Sequence, residues 1–206
     1  MASDLFVDPD ITKAETLPAR AFTDPAFLER ERETIFARNW LMVPPRTASE
    51  LRNDPREVTE LVQRKGSRAP ISILDRPLFL QRDWEAGFDG GEDGKYLFAR
   101  WWFIFPNMTL NFYPWGLSVN LYMPIPGRPD ETLFHWYHYV ADEARYEKRD
   151  ELWLNDAVDT EDQEAMLQVR RGVQSGYAVR GTFSPAEEQG AHWFHRKVSL
   201  ALNEKN

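Results

Sequence analysis

From Tyr96 to Val140 the chain reads as a succession of strands. "KYLFARWWFIFP", "MTLNFY", "LSVNLYM" and "ETLFHWYHYV" are rich in aromatic and β-branched residues, and "PWG" and "PIPGRPD" supply the reversals between them. The pattern predicts an antiparallel meander. In the third run Leu117, Val119, Leu121 and Met123 alternate with Ser118, Asn120 and Tyr122, so one face is expected to be buried and the other partly wet. In the fourth, Phe134, Trp136, His138 and Val140 share a face.

Helical periodicity brackets this meander. "TDPAFLERERETIFARNW" (23–40) opens with a cap-like Thr23 or Asp24 and Pro25 in the first turn, then sets Phe27, Leu28, Ile35 and Phe36 between charges. "VDTEDQEAMLQVRRGVQSG" (158–176) places Val158, Ala165, Met166, Val169 and Val173 in one stripe, with Asp162 in its middle. A buried carboxylate without a partner costs several kcal/mol, so the stripe predicts an arginine, a metal, a water-filled cavity or a proton beside Asp162. "AHWFHRKVSLALN" reads as a terminal helix with Ala191, Phe194, Val198 and Leu202 in register. The expected fold is α+β, a curved sheet gripping a long helix. From Pro44 to about Glu92 the chain is polar and punctuated by proline and glycine, and "PISILDRPLFLQ" offers at most two short strands there.

Composition narrows the function. The 206 residues, 42% hydrophobic and 28% charged, suit one globular domain. A net charge of −8 argues against a nucleic-acid groove or an anionic membrane surface. There is no long apolar run, and "MASDLFVDPD" is acidic where a signal peptide is basic, so a cytoplasmic protein is expected. An aromatic fraction of 14% favours a small apolar or aromatic ligand, although core packing is the commoner use of such residues. These residues contain no cysteine, so they supply no thiolate nucleophile and no cysteine-ligated iron–sulfur cluster. Phosphate-loop, G-x-S-x-G and H-E-x-x-H motifs are also missing from the sequence.

Asp162 and the histidines form the one candidate chemical constellation. Two imidazoles and a carboxylate make the facial triad of non-haem iron(II). The histidines come as two H-x-x-H pairs, His135 with His138 and His192 with His195. On a strand the first pair points to opposite faces, and the second falls on the polar side of its helix, where a solvated or hydrogen-bonded role is the simpler reading. His138 shares its face with apolar neighbours and is the better candidate to join Asp162, with Leu121, Phe134, Trp136, Val158 and Met166 as pocket residues. A core histidine and an internal aspartate–arginine pair account for the same positions.

Taken together, "LPARAFTDPAFLERERETIFARNWLMV", "FIFPNMTLNFYPWGLSVNLYMPIP", "EDQEAMLQVRRGVQSG" and "YAVRGTFSPAEEQGAHWFHRKV" resemble the alpha subunit of Rieske non-haem iron, aromatic-ring-hydroxylating oxygenases, especially its choline-monooxygenase-like branch. The resemblance covers roughly 17–43 and 96–202. It implies a helix-grip (START-like) catalytic domain of the SRPBCC type, a trimeric habit, and Asp162, the acid of the "ED" phrase, as carboxylate ligand of the mononuclear iron. It also implies a [2Fe–2S] cluster held by two cysteines and two histidines, and two iron-binding histidines ahead of the meander. The chain has no cysteine, and no histidine before His135. The expected organisation is therefore an N-terminal helical segment (1–43), an irregular joint where the Rieske domain and iron histidines are deleted (44–95), and a catalytic-type domain (96–206). The expected function is a Rieske-less, catalytically degenerate companion subunit or small-ligand binder without a cofactor, partnered by a full-length alpha subunit or by itself. The competing expectation is an oxygenase component whose Fe(II) site is rearranged or completed by a partner, fed by an external electron donor.

Overall fold

The computed structural model describes residues 4–39, 41–42, 73–81, 95–149, 156–177 and 179–203. The polar stretch 44–92 lies outside the described residues except for 73–81, which form one strand.

The first helix, α1 (Pro25–Thr34), begins where the sequence says it should. Asp24 accepts the Ala26 N–H at 2.9 Å and Pro25 occupies the first turn, where its missing N–H is no loss. Phe27 and Ile35 are buried along its inner face, and Glu31 lies between them on the helical wheel.

Among the described residues five strands follow: β1 (Ile73–Gln81), β2 (Lys95–Ile104), β3 (Met108–Tyr113), β4 (Gly116–Ile125) and β5 (Arg128–Val140). They pair in chain order as the expected antiparallel meander. The register Trp102↔Leu110↔Val119 and Ile104↔Met108↔Leu121 gathers an apolar face. The opposite face holds Trp101, Asn111, Tyr113, Ser118 and Tyr122, and at its centre Asn111 and Ser118 are buried as well. Three further α-helices lie among the described residues: α2 (Glu143–Glu147), α3 (Asp156–Gln174) and α4 (Gln189–Asn203).

The chain divides into two compact units, one from 1–71, 124–132 and 172–206, the other from 72–123 and 133–171. In the first, the N-terminal segment lies along α4 and the loop before it. Glu15 bridges to Thr182, Thr16 N–H donates to the Gly181 carbonyl at 2.8 Å, and Ala19 N–H donates to the Val179 carbonyl at 2.9 Å. Leu5, Val7, Ala14, Leu17, Val198 and Leu202 form the core of this unit. The second unit contains most of the sheet with α2 and most of α3.

This architecture overturns the expected helix-grip fold. The sheet is an open one, with β1 and β5 as its edges, and it is not strongly curled. A grip needs a sheet bent far enough to bury a helix stripe, and strand bending comes chiefly from bulges. The β1–β2, β2–β3 and β3–β4 ladders contain a single register shift, opposite Leu78/Phe79, where Phe98 is the extra residue in β2. Correspondingly, Met166, Leu167 and Val169 on α3 stay exposed, and α4 finds its partners in α1 and the N-terminal segment.

Candidate functional site

The densest chemistry in the second unit surrounds His138. Alternation along β5 puts Phe134, Trp136 and His138 on the face that Ser118 and Tyr122 of β4 also occupy. The contacts agree: Trp136 Nε1 donates to Ser118 Oγ at 2.7 Å, and the rings of Phe134 and Tyr122 lie 5.3 Å apart. Beyond β5, Asp142 caps α2 by accepting the Arg145 N–H at 3.1 Å, which starts the short helix that delivers Tyr146. The Tyr146 hydroxyl and His138 Nδ1 share a hydrogen bond of 2.7 Å. Trp115, from the β3–β4 turn, packs on His138 at 5.2 Å and on Tyr146 at 5.1 Å, while Trp136 meets His138 at 4.6 Å. The Arg149 guanidinium covers Tyr146 at 4.2 Å. Each aromatic contact contributes about 0.5–1.5 kcal/mol beyond the area it buries. The arrangement fastens the β3–β4 turn and α2 to the end of β5.

Other sequence-predicted residues lie apart from this cluster. Leu121 is fully buried, but it belongs to the opposite face of the sheet from Phe134 and Trp136. Met166 is exposed on α3, as is Asp162. Val158 falls on α3, and its side chain lies outside the described residues. An exposed carboxylate keeps its hydration, so the desolvation cost anticipated for Asp162 does not arise. A cleft of about 470 Å³ in the first unit is lined by Arg20, Thr23, Asp130, Val173 and Gln174 among others, and includes none of the predicted pocket residues.

His192 and His195 are hydrogen-bonded to main chain. The His192 Nε2–H donates to the Asp8 carbonyl at 2.7 Å, and His195 Nδ1 accepts the Leu17 N–H at 3.0 Å. The simpler reading of that pair is the one observed, although His192 is buried where a polar helix face was expected.

The sequence profile of the ring hydroxylating alpha subunit (catalytic domain) matches residues 76–204, from within β1 to the end of α4 and so more than half of the chain. The chain belongs to this family. No curated protein and no solved structure matches it.

For a ring-hydroxylating alpha-subunit relative, the natural question is whether the residues fit a mononuclear iron. A facial triad needs three donors converging on one point. Among the described residues no three His, Asp or Glu side chains gather in that way. Asp162 is exposed on α3, and the Nδ1 of His138 is engaged by Tyr146. These residues do not fit a self-contained triad. Among the described residues no helix is long and apolar enough to cross a membrane.

Sequence reasoning missed Glu31. It is half-buried between Phe27 and Ile35, and burial alone pushes its carboxyl up to about 7. The signal was an acid within an apolar stripe, the same signal that drew attention to Asp162.

Proposed function

We propose that this family member is a companion subunit, Rieske-less and without an iron centre of its own, that docks through α3 onto a full-length alpha subunit. The observation that supports it is the apolar stripe of α3, where Met166 and Val169 are 61% and 65% exposed. Burying one side chain of this size contributes about 1.5–3 kcal/mol, so a stripe of them left in water on one helix has the character of an interaction surface. An alpha-subunit partner suits a family whose resemblance implies trimers. The reading in which the chain stores a small apolar ligand has less support, since the 470 Å³ cleft lacks the predicted aromatic lining.

A second reading keeps the chain in catalysis. Asp162 lies on the same side of the wheel as Met166 and Val169, so a partner seated on the stripe also meets the carboxylate. If that partner supplies imidazoles, a mononuclear Fe(II) site is completed across the interface, with electrons from an external donor.

Co-expression with a full-length alpha subunit tests the docking. The wild-type chain is expected to co-purify with it, and Met166→Gln with Val169→Gln is expected to reduce recovery about tenfold with the melting temperature unchanged, because both positions are exposed. Failure of the wild type to co-purify, or undiminished recovery of the double variant, would contradict the proposal.

A further inference from the structure

The N-terminal segment is held on the first unit by several bonds that no change between about pH 5 and about pH 7.5 alters, such as Thr16 N–H to Gly181, Ala19 N–H to Val179 and the Arg180 guanidinium to the Thr16 carbonyl. One bond differs. The Leu17 N–H donates to His195 Nδ1, and a ring nitrogen accepts a hydrogen bond only while it carries no proton. Leu17 is 4% exposed, so an amide turned away from Nδ1 has little water to replace it. We propose that His195 is a pH-sensitive latch: the neutral ring accepts the Leu17 amide and holds the N-terminal segment against α4, whereas the protonated ring sets N–H against N–H and releases the segment around Leu17.

The surroundings of the ring set the direction of the switch. Phe22, Phe183 and Phe194 pack around it at 6.0, 5.4 and 6.3 Å between centroids. The titratable groups facing it are His192, one turn earlier on α4, and Glu188 ahead of that helix; the N-terminal segment presents the Leu17 amide. Burial, and then His192, pull the imidazole below its ordinary 6.5, and Glu188 opposes them. The latch is therefore closed at neutral pH and opens on acidification. His192 plays a different part, because its Nε2–H donates to the Asp8 carbonyl in either charge state. Release is thus confined to the neighbourhood of Leu17, with the contact at Asp8 retained.

The folded state prefers the neutral ring, so this contribution to stability is fully present above pH 6.5 and is lost as the pH falls from there through the lowered folded value. Residue-resolved amide exchange, corrected for intrinsic rates, reads the switch directly. Between about pH 7.5 and about pH 5, protection at Leu17 is expected to fall about tenfold, with less than about a twofold change at Ala19. His195→Asn places a non-titrating amide oxygen near the position of Nδ1, and in that variant Leu17 protection is expected to be the same at both pH values. In the wild type, the Leu17 amide shift and the His195 ring are expected to titrate with one midpoint, a readout that does not depend on the variant folding. Constant protection at Leu17, equal losses at Leu17 and Ala19, separate midpoints, or a pH-dependent loss surviving in His195→Asn would each overturn the proposal.

Discussion

Gly116→Ala is expected to destabilise the second unit by about 3–5 kcal/mol, a cost on the scale of a small domain's whole stability. Gly116 opens β4 directly after the turn at Pro114 and Trp115, with a φ of +147° that L side chains rarely adopt. A Cβ there would overlap the Tyr139 carbonyl oxygen and come within 3.0 Å of Ala141 N. Both obstacles are backbone, and neither can swing aside. The same approach lets the Trp115 carbonyl accept the Ala141 and Asp142 amides at 2.9 and 3.0 Å, which seats Trp115 against His138 and Tyr146. Urea denaturation should show a sharply lowered midpoint, accompanied by loss of the near-ultraviolet tryptophan signal. Gly127→Ala separates strain from collision: its φ is +75° but nothing lies within 4 Å of the added methyl, so it is expected to cost only about 1 kcal/mol. Equal effects at the two glycines would contradict the steric argument.

Glu31→Gln is expected to stabilise the protein by about 1–2 kcal/mol above neutral pH and to have little effect near pH 4. The folded carboxyl titrates at about 7 against an ordinary 4.5, so between those values the folded state binds more protons than the unfolded one. Stability from this group is full below pH 4.5, falls as the pH rises through 7, and is level beyond. Glutamine keeps the shape and cannot ionise, so it removes that slope. The full conversion of the shift would exceed 3 kcal/mol, and partial exposure of the side chain reduces it. Urea midpoints of wild type and variant should coincide at about pH 4 and separate by about pH 8; a gap independent of pH would contradict the assignment.

The strands were legible because several constraints coincided there. Alternation, aromatic content and the "PWG" and "PIPGRPD" turns all pointed to β2 through β5, and the structure places those strands within a few residues of the expected runs. The grouping of faces was less legible. A two-residue turn at Pro126 and Gly127, counted back strictly, would set Val119 opposite Phe134 and Leu121 on the Phe134 side. The contacts of Phe134 with Tyr122 and of Trp136 with Ser118 instead join the even-numbered positions of both strands, and a one-residue offset moves every side chain to the other face.

Helix periodicity carried a related ambiguity. The stripes of α1 and α3 both contain an acid, but periodicity says which residues share a side and not which side the rest of the chain covers. In α1 the stripe is buried and Glu31 bears the consequence; in α3 it is exposed and Asp162 remains in water. Resemblance pointed to the right family, which the match over 76–204 shows, while the fold it implied did not follow.

Anaerobic Fe(II) titration of the purified chain, read by metal analysis after desalting, tests the central claim most directly. Because one exposed carboxylate and a histidine engaged by Tyr146 do not make a triad, iron retention is expected to stay far below one equivalent and to be the same in Asp162→Ala. Retention of about one equivalent by the wild type, lost in Asp162→Ala, would contradict the account and establish a self-contained iron site.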